Sequence, residues 1–315
     1  IADGNSPDIF MVSNNGGDAK FRTKTYEIPN SVINVDEFSK NFNKAFDELV
    51  LTEKTEDEDG NEVTAYGLKG VPMGYETLAL YYNFRFIRNV PSLWSDLDTE
   101  IAANESTEYA PVGLGLPSRY VPGADATVEA LLLQNGVDTY TRLTDTQASA
   151  AIAGYASFAQ EQKNPIKTLE PKMDSLYLDT IDLFVRGDIG MIVGYPSTLE
   201  KILEAMKRAG DEKSLSEKFV RTAPLPQIST EADTRRNIIS YRYFAVSRFA
   251  KEPQAAFDFI SYLATQEAQE AYLTAFPSTL PAYRSLEAGL MDKALDEELP
   301  RVRYEHFMVE GVSLE

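Results

Sequence analysis

Short apolar runs of strand length alternate along this chain with segments whose apolar residues recur every three or four positions, and that alternation restricts it to α/β folds. Ile9-Phe10-Met11-Val12 follows Pro7 and is closed by Ser13-Asn14-Asn15-Gly16-Gly17, the pattern of a buried strand running into a loop. Thr77–Asn83, Ala110–Leu116, Ile189–Val193 and Tyr243–Ser247 read as further strands. Val35, Phe38, Phe42, Phe46 and Leu49 fall on one helical face, with Asp36 and Glu37 in the first turn, where acids complement the helix dipole. Asp125–Asn135, stopped by Gly136, and Leu176–Arg186 are also helical. Asp145–Glu161 turns Ile152, Tyr155 and Phe158 inward, and Ser197–Ala209 carries Leu199, Ile202, Leu203 and Met206 up to Gly210. A long helix with Pro253 near its start places Ala256, Phe259, Ile260 and Leu263 on one face. The acidic stretch Glu53–Glu62 lacks the spacing of a calcium loop and reads as a solvated hairpin turn.

At 315 residues the chain has room for two domains of about 100–200 residues each. No Gly/Ser-rich or Pro-rich linker divides it, so two lobes would be joined by ordinary strands and not by a flexible tether. Acids outnumber bases 49 to 30, a net charge of −19. Neutralising phosphates takes a surplus of Lys and Arg, so this balance argues against nucleic acid and against docking on anionic lipid. No apolar run approaches the roughly 20 residues that span a bilayer.

The rare residues exclude more. Without cysteine there are no disulfides, thiol nucleophiles or iron–sulfur clusters, and with His306 alone no zinc site built on two or three imidazoles. There is no Gly-x-x-x-x-Gly-Lys, no Gly-x-Gly-x-x-Gly between strand and helix, and no Gly-x-Ser-x-Gly. A cleft glycosidase would need two carboxylates facing one another, which a chain with 49 acids leaves open as the enzyme alternative. Tyrosine, present 17 times, pairs an apolar face with a hydroxyl and so suits sugar rings. Tyr81 lies inside a strand and reads as structural. Tyr120, Tyr195 and Tyr241 stand at strand-to-loop junctions, where open α/β sheets bind ligands. Tyr81–Tyr82 raises a ferric-ion alternative, but neighbours in a strand point to opposite faces.

Six segments resemble, in order, those of the extracellular solute-binding proteins of carbohydrate ABC importers, the maltose-binding-protein-like family. They are Gly4–Phe10 with its Pro7-Asp8; Tyr66-Gly67-Leu68 followed by Val71-Pro72; Glu76–Asn83; and Trp94-Ser95-Asp96-Leu97. The last two are Phe184–Gly194, in which Gly190 replaces the usual alanine, and Ala255–Leu263 followed by Pro281-Ala282.

The resemblance implies a two-lobed, hinged periplasmic-binding-protein fold of type II. The N-terminal lobe would be 1–83 plus about 242–281, and the C-terminal lobe about 84–241 plus 282–315. It implies no enzyme, cofactor or metal, but a monomer that captures a carbohydrate and hands it to the membrane permease of an ABC transporter. The expected ligand-binding residues are Ser13, Asn14 and Asn15 after the first strand, Arg119 and Tyr120, Tyr195 and Ser197, and Ser240, Tyr241 and Arg242. Arg119 and Arg242 leave an acidic sugar open, since a guanidinium donates a forked pair of hydrogen bonds. The expected location is periplasmic or extracellular, with a lipid anchor as one option. Relatives have a first strand and two helices before Pro-Asp, and a further C-terminal helix. The chain is therefore expected to be a fragment, or to receive the missing strand from another polypeptide.

Overall fold

The computed structural model describes residues 6–56, 61–97, 99, 113–115, 124–137, 140–158, 180–210, 219–231, 234–297, 301–308 and 311–312. Its first elements are β1 (Ile9–Ser13), α1 (Gly17–Phe21), β2 (Ile28–Pro29), α2 (Val35–Asn41), β3 (Val50–Glu56), β4 (Glu62–Leu68), β5 (Val71–Thr77) and β6 (Ala79–Asn83). Then come β7 (Leu114–Gly115), α3 (Ala124–Gln134), α4 (Thr146–Ser157), α5 (Thr180–Arg186), β8 (Met191–Gly194), α6 (Thr198–Ala209) and β9 (Val220–Pro224). The last are β10 (Asn237–Val246), α7 (Pro253–Leu263), α8 (Gln266–Ala275), α9 (Arg284–Ala288) and β11 (Gly311–Val312).

The chain divides into two compact units, the first 1–75 with 240–289 and the second 76–239 with 290–315. The lobes read from the sequence were 1–83 with about 242–281, and about 84–241 with 282–315. β6 lies in the second unit because its backbone is bonded on both sides there, to β8 and to β9. Residues 282–289 lie in the first unit, where Glu287 accepts from Asn43 Nδ2 and from the Tyr75 hydroxyl, each at 2.7 Å.

In the first unit β10 pairs with β1, antiparallel from Ile9↔Val246 to Ser13↔Arg242, and with β5. Gly70 is required beside it, because a Cβ there would stand 2.3 Å from the Phe244 carbonyl oxygen. The acidic stretch is flanked by the β3–β4 hairpin, which pairs Glu56 with Glu62; its residues 57–60 lie outside the described set. The helix expected over 35–49 is broken in two. Asn34 caps α2 by accepting from Glu37 N at 2.9 Å, and Asn43 starts a separate 3₁₀ turn, Lys44–Leu49, by accepting from Ala45 N at 3.1 Å. The apolar face survives the break: Phe38, Phe42, Phe46 and Leu49 are all buried, and the rings of Phe38 and Phe42 stack 4.4 Å apart. On α7, Ala256, Ile260 and Leu263 face the core, but Phe259 is 49% exposed, on the other side of the helix.

The second unit is built on the sheet β7-β8-β6-β9, in which β6 runs antiparallel to both neighbours and β7 parallel to β8. Every residue of β6 and β8 is buried, as a sheet covered on both faces demands. Its core gathers Leu78, Leu80, Tyr82, Trp94, Leu131 and Phe158. α6 keeps the expected stripe, with Leu199, Ile202 and Met206 buried and Gly210 at its end in the left-handed region, φ 71°. α4 departs from expectation at Ile152, which is 51% exposed; Ala148, Ala151 and Phe158 make its buried side.

Candidate functional site

In the first unit, β1 ends at Ser13 and the chain turns at Asn14-Asn15-Gly16, with Gly16 at φ 72°. Asn14 extends the ladder beyond the strand: its N–H donates to the Tyr241 carbonyl at 3.2 Å, and its Oδ1 accepts from Tyr241 N at 2.9 Å. Ser13 Oγ accepts from Asn15 N at 3.2 Å, which tightens the turn. Ser13 stands opposite Arg242, and directly opposed residues share a face of the sheet. Ser240 joins that face, two residues along β10, and Tyr241 points to the other. The pattern of exposure agrees: Ser240 is half-buried, Arg242 exposed and Tyr241 4% exposed. Tyr241 sets its ring edge-on to Phe46, centroids 4.9 Å apart, and its hydroxyl donates to Glu48. The structure therefore sets Ser13, Ser240 and Arg242 on one face, with Asn14 and Asn15 in the turn at its end, and places Tyr241 on the other face as the residue that holds Asn14.

In the second unit, β8 ends at Gly194, and Tyr195-Pro196-Ser197 turns into α6. Tyr195 is 7% exposed and belongs to the core cluster. The loop is held from behind by Tyr81, whose fully buried hydroxyl donates to the carbonyls of Tyr195 at 2.9 Å and Pro196 at 3.4 Å. Burial, and next the nearby Glu76 carboxylate, push the Tyr81 phenol well above its ordinary value of 10.0, so it stays a donor. Ser197 N–H donates to Glu76 Oε1 at 3.2 Å, which sets a carboxylate against the start of α6, where the helix dipole favours it. Tyr82 faces the opposite core from Tyr81, so the two hydroxyls do not converge on one ion. Arg119 and Tyr120 lie outside the described residues.

Two half-buried carboxylates, Glu48 and Glu76, escape the reading by motif. Glu76 carries a faint signal, as the acid interrupting the apolar stretch Val71–Asn83. Glu48 carries none, because its partner is 193 residues away. A cavity of about 270 Å³ in the second unit, lined by Trp94, Leu131, Ala151, Gly154 and Phe158 among others, contains none of the expected residues. Trp94 is committed to the core, its Nε1 donating to Gln134 Oε1 at 2.8 Å. Among the described residues there is no cluster of three or more His, Cys, Asp or Glu suited to a metal ion, and no helix is long and apolar enough to cross a membrane.

The profile of a family described as bacterial extracellular solute-binding proteins matches residues 1–295. The chain belongs to this family. Solved structures agree in fold. A cyclo/maltodextrin-binding protein complexed with maltotetraose is 19% identical, with a TM-score of 0.66, over 99% of this chain and 72% of its own. The sugar-binding protein MalE from Xanthomonas citri is 16% identical, TM-score 0.68, over 98% and 73%. The GacH receptor of Streptomyces glaucescens, solved unliganded and with acarbose, is 18% identical, TM-score 0.63, over 96% and 71%. No curated protein matches significantly. In this extracellular solute-binding protein of the two-lobed periplasmic-binding class, the loops of the first unit offer hydroxyl, carboxamide and guanidinium groups from Ser13, Ser240, Asn14, Asn15 and Arg242, and the described loop of the second unit offers the Ser197 hydroxyl.

Proposed function

We propose that this solute-binding protein captures a mono- or oligosaccharide and delivers it to the permease of an ABC importer, without catalysing any reaction. The observation that carries the reading is the family match over residues 1–295; the sugars in the structural relatives support the substrate class. The contacts are assigned to Ser13, Asn14, Asn15, Ser240 and Arg242 in the first unit, and to Arg119, Tyr120, Tyr195 and Ser197 in the second. Hydroxyl and carboxamide groups both donate and accept, which matches the rim of a sugar ring. Tyr241 contributes by fixing Asn14, and Tyr195, packed in the core, contributes by anchoring the turn that carries Ser197.

A thermal-shift screen against mono- and oligosaccharides, uronic acids included, with ferric citrate as control, tests this reading. Ligand at a hundred times its Kd adds about 2.7 kcal/mol. For a chain of 315 residues that is about 4 °C in Tm. A shift with one sugar class, and no release of reducing ends from that sugar, is the expected result. A protein that melts cooperatively and shifts with no sugar overturns the carbohydrate assignment.

A further inference from the structure

The segment 301–308 lies against the sheet of the second unit on the side of Tyr81. Its backbone is bonded to β9, with Thr222 N donating to the Arg301 carbonyl at 3.3 Å and Arg303 N donating to Thr222 Oγ1 at 3.1 Å. Its fully buried Phe307 accepts at its carbonyl from the Thr77 hydroxyl and sets its ring 5.8 Å from that of Tyr81. Tyr81 in turn holds the carbonyls of Tyr195 and Pro196, which also accept from Thr198 N and Leu199 N in the first turn of α6. A continuous set of contacts therefore runs from the C-terminal segment to the loop of the candidate site.

His306, the chain's one histidine, sits inside this segment with Nδ1 2.7 Å from Thr222 Oγ1. The Thr222 hydroxyl already accepts from Arg303 N, and its single hydrogen is left for Nδ1. With that assignment the neutral ring carries its own hydrogen on Nε2, 3.6 Å from Glu305 Oε1. Protonation turns Nδ1 into a donor. Thr222 Oγ1 would then face two donors, and its hydrogen would need another acceptor at a residue only 3% exposed. We propose that residues 301–308 form a strap that supports the Tyr195–Ser197 loop through Phe307 and Tyr81, and that protonating His306 loosens it.

The charged groups around His306 point both ways. Glu305 favours the imidazolium, and Arg303, bonded to Glu305 at 2.6 Å, opposes it. From the neighbouring 290–297 segment, exposed Asp292 reaches Arg303 at 3.7 Å, and Lys293 contributes its carbonyl to Tyr304 N. On β9, Arg221 is turned away onto the Phe84 ring, 3.3 Å from its centroid. Burial outweighs these charges and lowers the His306 pKa below its ordinary 6.5. Stability from the neutral ring is thus complete above that value and is lost as pH falls through the lowered one.

The link to ligand binding rests on the proposed carbohydrate site; the strap itself does not, and its test uses no ligand. Amide hydrogen exchange is measured on the full chain at pH 7.5 and 5.0, expressed as protection factors for Ser197, Thr198 and Leu199, with Leu131–Gln134 of α3 as reference. The expected result is a several-fold fall in protection at the loop relative to α3, absent in His306→Asn, which keeps an acceptor for the Thr222 hydroxyl but cannot be charged. The lone C2–H resonance of His306 gives a second readout in the unaltered protein, and the chemical shifts of the loop amides should titrate with its midpoint. Loop protection that is equal at the two pH values, a fall that persists in His306→Asn, or a different midpoint for the loop amides overturns the proposal. A loop that responds as expected in a protein that binds no sugar would leave the strap standing and remove only its role in carbohydrate capture.

Discussion

Tyr75 is 5% exposed, and its hydroxyl is accommodated there by donating to Glu287, which Asn43 also serves. Tyr75→Phe removes one of those donors to a carboxylate and should cost about 1–2 kcal/mol, read as a lower denaturation midpoint at unchanged m. Burial first, and then Glu287, raise the Tyr75 pKa well above 10.0. The unfolded chain therefore loses this proton first, and stability should fall as pH rises beyond 10, less steeply in Tyr75→Phe. Arg242 is the opposite case, exposed beside Ser13. Arg242→Ala should stay within about 0.5 kcal/mol of the parent in stability. Once a sugar ligand is found, the same change should weaken it about tenfold or more, close to 1.4 kcal/mol by isothermal titration. Lost stability with unchanged affinity would make Arg242 structural.

At the scale of the element, the helices show what local pattern reveals. Ala256, Ile260 and Leu263 were legible as the buried face of α7, and the stripe of α6 was legible up to Gly210. Phe259 and Ile152 were misplaced because both are apolar residues that the packing leaves outside, and periodicity measures only apolar character. The break between α2 and the 3₁₀ turn was missed because Phe42 continues the apolar spacing while Asn43 restarts the backbone hydrogen bonding. The β8–α6 junction rests on Gly194, where a Cβ would stand 2.6 Å from Thr198 Oγ1 and 2.9 Å from its Cβ. Gly194→Ala must therefore displace the first turn of α6, at a cost of about 1–3 kcal/mol, visible as a lower Tm. Because the displaced turn carries Ser197, sugar affinity should fall too if the proposed site is right.

For the whole molecule, a net charge of −19 sets a self-repulsion that salt relieves. The Debye length shrinks from about 30 Å at 0.01 M to about 8 Å at 0.15 M. Exposed pairs such as Lys54–Glu62 lose little over that range, since each contributes at most about 1 kcal/mol. Tm should therefore rise between those two NaCl concentrations, and a fall would mean that ion pairs outweigh the repulsion.

The order of strands, helices and short motifs along the chain was enough to reach the α/β class and the solute-binding family, because each of those signals is local: a period, a cap, a run of a few residues. The site was legible only as loops. Which side chains share a loop's surface depends on pairing across the chain. Ser13 meets Arg242 through the β1–β10 register, and the pleat of β10 turns Tyr241 to the face opposite Ser240 and Arg242. Glu48 and Glu76 enter through partners 193 and 121 residues away. A hydrogen bond between residues so far apart leaves no trace in the spacing of either, and only the tertiary structure could decide it.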